Sequence, residues 1–174
     1  AELKWNGRTA RVFRISFSGE LAYELAVPAR YGDATIRAIM AAGEPFGITP
    51  YGLESLGIMR LEKGHVAGGE LNGTATAADL GLGRMMSPKK DCIGRVLLQR
   101  PALTDPQRAV LVGIKPVDRW AQLRGGSHLV TLRTDPTLEN DQGYVTSANF
   151  SPMLGQWIGL GLLVRGRERL GERI

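Results

Sequence analysis

The sequence predicts an α+β protein, with strands and two helices in its front half and strands alone in its back half. Three observations lead to this reading. Near the start, two runs that alternate every second residue flank a Ser-Gly turn, which is the pattern of a hairpin. Two stretches with apolar residues at spacings of three and four follow. From residue 109 onward, short apolar runs are separated by turn residues, as in a small antiparallel barrel or sandwich.

In ARVFRISF, residues 10–17, Phe13, Ile15 and Phe17 fall on one face, and Val12, Arg14 and Ser16 on the other. Ser18, Gly19 and Glu20 supply the turn. In AYELAV, residues 22–27, Tyr23, Leu25 and Val27 oppose Ala22, Glu24 and Ala26. A carboxylate between two alanines has little bulk around it, so a flat group has room to lie against that strand. The spacing then predicts a helix over 31–42, with Ile36, Ile39 and Met40 as its apolar stripe and Gly43 as its stop. A second helix is expected from Pro50 to Gly64, where Leu53, Leu56 and Arg60 share one core-facing stripe. An arginine on such a stripe must pair, snorkel or hold a ligand, because burying its charge alone is costly. After Gly64 regular patterning lapses until about Asp79, and 101–108 reads as a connection. AVLVGI, HLVTL, GYVTSANF and WIGLGLLV supply the later strands.

At 174 residues the chain is long enough for one core plus a satellite. Its 43% hydrophobic and 22% charged composition is that of an ordinary globular protein. No stretch approaches the roughly 20 apolar residues of a spanning helix. The single cysteine, Cys92, excludes an internal disulfide framework and favours a reducing, cytoplasmic setting. The net charge of +5 suits an anionic small ligand or a partner subunit. Nucleic acid fits less well, since the densest basic run, RGRERLGER at 165–173, is interleaved with acids and has no aromatics. The opening at Ala1, with no initiator Met or signal region, reads as a piece of a longer polypeptide.

Phosphate-loop, zinc-helix and nucleophile-elbow signatures are absent. GLGRMM at 81–86 and GLGLLV at 159–164 each lack the last glycine of a dinucleotide fingerprint. In the second, glycines inside an apolar strand point to a bulge or a close backbone approach. His65 and His128 are too few for a metal site without carboxylate help, and no HxH or ExxH spacing supplies it. His65, in RLEKGHVAGGELNGT, is expected at the rim of a pocket.

Five ordered segments carry a family resemblance: RISFSGELAYEL (14–25), GLESLGIMRLEKG (52–64), LNGTATAADLGLG (71–83), DCIGR (91–95) and VTSANFSPMLGQWIGLGLL (145–163). Together they resemble the aminomethyltransferase, or glycine-cleavage T-protein, family. Within it, the second, third and fifth are most similar to the folate-binding module of heterotetrameric sarcosine oxidase alpha subunits.

The resemblance implies that residues 1–100 form the later part of a ferredoxin-like antiparallel sheet subdomain with its connecting loops, and 101–174 a small antiparallel β-barrel. It implies tetrahydrofolate as the ligand, held between three subdomains, with FAD, FMN and NAD elsewhere in the complex. Flavin there oxidises sarcosine, and the one-carbon unit passes to the folate module to give 5,10-methylenetetrahydrofolate. The implied partners are other subunits, with neither nucleic acid nor membrane. Glu24 aligns with the family's pterin-contacting glutamate. Phe17 stands where the family usually has tyrosine, which keeps a stacking face and loses a hydroxyl. Arg60 aligns with a helix arginine placed either near the folate or in an ion pair. The family's catalytic aspartate lies upstream of Ala1, so no catalytic residue is expected here and the chain alone should be silent. The rival readings are a T-protein or related folate-dependent demethylase, and a non-catalytic scaffold for subunit contacts.

Overall fold

The computed structural model describes residues 1–5 and 7–174, apart from the side chains of Trp5 and Arg8. The chain forms two compact units, Ala1–Lys63 and Gly64–Ile174.

The first unit contains an antiparallel sheet of β1 (Glu2–Trp5), β2 (Arg8–Phe13) and β3 (Glu24–Ala26), in that order. The hairpin expected from the alternation is there, with Phe13 opposite Glu24 and Val12 opposite Leu25. It is shorter than the pattern suggests, because the ladder stops at Phe13. Beyond it, Ser16 Oγ accepts the Gly19 amide at 2.8 Å and Ser18 Oγ accepts the Glu20 amide at 3.4 Å. Serine side chains here capture backbone donors that a longer ladder would need.

α1 (Gly32–Gly43) ends at the predicted glycine. A Cβ there would lie 2.6 Å from Ile48 Cβ, so the close return of the chain excludes a side chain. Within α1 the buried position is Thr35, whose hydroxyl donates to the Tyr31 carbonyl, while Ile36 and Ile39 of the expected stripe are exposed. α2 spans Leu53–Lys63 and begins three residues later than Pro50. Leu53, its first residue, is 85% exposed and does not join Leu56 and Arg60 on a covered face; the buried residue is Leu61. A residue at the mouth of a helix has no preceding turn to lie against, so shared angular position does not bring shared burial.

The second unit has a four-stranded antiparallel sheet in the order β4–β7–β6–β5, made of β4 (Ala109–Ile114), β5 (His128–Val130), β6 (Asp141–Ser151) and β7 (Gln156–Val164). Residues 158–163 of β7 are buried on both faces, which explains a continuous apolar run where a half-exposed strand would alternate. Val112, Val145, Ile158, Leu160, Leu162 and Leu163 form the core. A β-bulge interrupts β6 between Val145 and Ser147. Opposite it, a Cβ on Gly161 would sit 2.5 Å from Ile114 Cδ1 and 2.9 Å from the Tyr144 carbonyl, the close approach that the strand glycines suggested. No helix among the described residues is long and apolar enough to cross a membrane.

Candidate functional site

Glu24 opens β3 and pairs with Phe13 across the hairpin. Directly opposed residues of an antiparallel pair project to the same side, and the side alternates along each strand. One face of this sheet therefore carries Arg11, Phe13, Glu24 and Ala26. Glu24 is exposed, and its carboxylate takes no hydrogen bond or ion pair among the described residues. Its neighbour Arg11 lies 3.8 Å from Glu2, its opposite residue on β1. The outcome is a solvent-facing carboxylate beside an aromatic ring, with both oxygens available to accept from a pair of adjacent N–H groups.

Phe17 sits in the 14–23 excursion between the two strands and is 39% exposed. The same excursion meets the end of α2. A Cβ on Gly19 would fall 2.6 Å from Lys63 Cγ and Cδ, and the residue holds φ +91°, so only glycine lets the lysine stem pass. Arg60, one turn before Lys63, is half-buried. The fold thus brings the Phe17 excursion and the C-terminal turn of α2 together, while Glu24 lies beside Phe13. His65 belongs to the second unit, where it is exposed just after the turn at Gly64.

Two buried carboxylates and one arginine escaped the sequence reading. Glu70 is completely buried; its Oε1 accepts from the Thr146 and Ser147 hydroxyls at 2.6 Å each, and its Oε2 from the Ala67 amide at 2.8 Å. The bulge in β6 explains how consecutive residues reach one oxygen, since a regular strand would send them to opposite faces. Gly69 is part of the same arrangement, because a Cβ there would lie 2.9 Å from the Thr146 carbonyl.

Asp79 is also buried. It forms a reciprocal capping box with Thr76, whose amide and hydroxyl donate to Asp79 Oδ2 while the Asp79 amide donates to the Thr76 hydroxyl. Arg108 Nη2 and Nε complete its shell at 2.7 and 3.1 Å. Burial pushes the Asp79 carboxyl up, but the Arg108 guanidinium and the two Thr76 donors outweigh it and hold the pKa below its ordinary 3.8. The T-x-x-D spacing of TAAD was a legible signal for the box; nothing in the sequence pointed to Arg108.

A cavity of about 410 Å³ lies over this pair, with Met86, Leu98, Leu103 and Val110 among its walls. Its polar groups are engaged internally. Arg108 also donates to the Ala102 and Thr74 carbonyls, Arg165 to Glu168, and Arg167 to the Ala78 carbonyl. These are scaffold contacts. No group of three or more metal-ligating side chains occurs among the described residues.

Comparison with known proteins divides the chain later than the two compact units do, inside the second of them. The GCVT N-terminal domain family matches residues 1–90, and the glycine cleavage T-protein C-terminal barrel domain family matches 110–174. A sarcosine oxidase subunit alpha of Rhizobium meliloti is 52% identical over 94% of this chain, which spans 17% of that relative. An aminomethyltransferase of Shouchella clausii is 36% identical over 86% of the chain, which spans 39% of it. The crystal structure of the glycine cleavage system aminomethyltransferase T from Bartonella henselae shares the fold, with a TM-score of 0.76 at 23% identity, over 90% of this chain and 42% of that one. The order of the sequence motifs, the two matched domains and the shared fold agree: this chain belongs to the glycine-cleavage T-protein family.

Proposed function

We propose that this chain is part of the folate-binding module of a sarcosine oxidase alpha subunit. In that role it helps hold the tetrahydrofolate that accepts the one-carbon unit released by sarcosine oxidation, giving 5,10-methylenetetrahydrofolate. The supporting likeness is to a relative named as that subunit, of which this chain spans less than a fifth. The observation that carries the pocket assignment is Glu24, an accessible carboxylate without a partner among the described residues, beside Phe13. A pterin presents an amino group and a ring N–H side by side, and a carboxylate can accept both through charge-assisted bonds. Phe17 and Arg60 supply a stacking face and a cation from the excursion and α2.

Oxidative chemistry on sarcosine belongs, in this reading, to flavin and nicotinamide sites outside residues 1–174, within an assembly of several subunits. The chain itself contributes binding and orientation. The likeness to aminomethyltransferases supports a second reading, a T-protein acting on another methyl donor with the same folate site.

Calorimetric titration of the full-length protein with tetrahydrofolate tests the pocket. Glu24→Gln keeps the shape and removes the charge, so affinity should fall about tenfold or more, the worth of one charge-assisted pair. Unchanged affinity would remove Glu24 from the site.

A further inference from the structure

The DCIGR segment, one of the five ordered motifs, has no part in the pocket just proposed. It lies in an irregular stretch, residues 84–100, whose only regular pieces among the described residues are one-turn 3-10 helices at Gly83–Met85 and Leu97–Gln99. Irregular stretches of this length are uncommon inside a compact unit and are usually either functional or linkers. This one is held in shape: Arg95 Nη1 donates to the Lys90 carbonyl at 3.1 Å and Nη2 to the Pro88 carbonyl at 2.9 Å. Gly94, at φ +88°, makes the turn that lets Arg95 reach back. Residues 88–95 are therefore a closed, pre-formed loop.

What this loop displays is unusual for a solvated surface. Ile93 is fully exposed at its tip, and Val96 is 79% exposed beside it in sequence. The side chains of Lys89 and Lys90 make no hydrogen bond or ion pair among the described residues. Residues 84–100 hold five cations, Arg84, Lys89, Lys90, Arg95 and Arg100, against the single acid Asp91. An apolar tip set among unneutralised cations is complementary to an apolar recess rimmed by carboxylates. A loop already closed by Arg95 also loses little freedom on binding.

We propose that the 88–95 loop is a docking element for a different protein subunit, with Ile93 seated in an apolar recess and Lys89 and Lys90 facing an acidic rim around it. This rests on the reading of the chain as part of a multi-subunit oxidase. The charge excess selects an acidic protein surface over a second copy of this basic chain, whose own loop would repel it.

The test uses the full-length protein and its co-expressed partner subunits, with assembly followed by sedimentation velocity across a dilution series. Ile93→Asp and the double variant Lys89→Glu/Lys90→Glu should each weaken assembly about tenfold or more. Added salt should weaken assembly of the parent protein and have less effect on the double variant. The lysines are exposed and have no side-chain partner among the described residues, so the double variant keeps the fold even if Ile93→Asp were to perturb it. Assembly indifferent to both variants would overturn the proposal. So would loop-dependent binding to vesicles of anionic phospholipid, or loop-dependent self-association without partner subunits. A parent protein that sediments as a lone subunit would remove the multi-subunit reading as well, whereas tetrahydrofolate titration of Glu24→Gln reports on the pocket alone.

Discussion

The two units of this chain treat their apolar residues in opposite ways. In the second, Val112, Val145, Leu160, Leu162 and Leu163 are all under 9% exposed, and the carboxylates of Glu70 and Asp79 are enclosed with their partners. In the first, the buried apolar residues among those described are Ala10 and Leu61, while Phe13, Ile15, Ile36 and Leu53 are 44–85% exposed. The difference separates two uses of the same residue types. A buried carboxylate whose acceptor sites are filled by hydroxyls, amides and a guanidinium holds a scaffold together. An accessible carboxylate with no partner among the described residues, next to an exposed ring, is open to solvent and to what solvent carries. Glu24 belongs to the second kind, and Glu70 and Asp79 to the first.

If that contrast is right, substitutions should cost far more in the second unit. The largest effect is expected from Gly161→Val, which places atoms 2.5 Å from Ile114 Cδ1 and against the Tyr144 carbonyl. Overpacking between backbone and core should destabilise by about 3 kcal/mol or more, measured by urea denaturation. Next is Asp79→Asn, which leaves Arg108 without its charged partner and should cost about 2–4 kcal/mol near neutral pH.

That second loss carries a pH signature. The Asp79 pKa is lowered in the folded protein, so its stabilisation is fully present above the unfolded value of about 4 and disappears as pH falls through the folded one. The stability gap between the parent protein and Asp79→Asn should narrow on acidification below about pH 4, and a gap independent of pH would show that the ion pair is not its source.

At open positions of the first unit, unlike the crowded Gly19 and Gly43, substitutions should be mild or favourable. Gly57 lies inside α2 with nothing within 4 Å of a built Cβ, so Gly57→Ala should stabilise by about 0.5–1 kcal/mol through helix propensity. Leu53→Ser, at an 85% exposed helix start, should change stability by less than about 0.5 kcal/mol. A large loss at Leu53 would mean that the residue is covered in solution, and would break the contrast between the units.

Much of the fold could be read in advance where local rules suffice. Alternation placed the β2–β3 hairpin, Gly43 marked the end of α1, and the apolar run WIGLGLLV marked the strand β7. The helix stripes were less legible: Leu53, Ile36 and Ile39 obey the right spacing yet remain exposed. Spacing states which residues share a side of a helix and leaves open whether anything covers that side. The candidate site divides in the same way. Glu24 stood out because Ala22 and Ala26 flank it in an alternating run, although Ala22 falls outside β3, whereas Glu70 is explained only by a bulge in a strand more than seventy residues away.

The sequence by itself determined the strand and helix order, the glycines that permit tight returns, and the five motifs that identify the family, because these depend on local propensity and on residue identity. Tertiary structure decided where the ladder beyond Phe13 stops, that Thr146 and Ser147 turn together onto Glu70, and that Arg108 closes over Asp79. Those outcomes depend on which donors and acceptors meet across long separations in the chain, and no local pattern encodes such meetings.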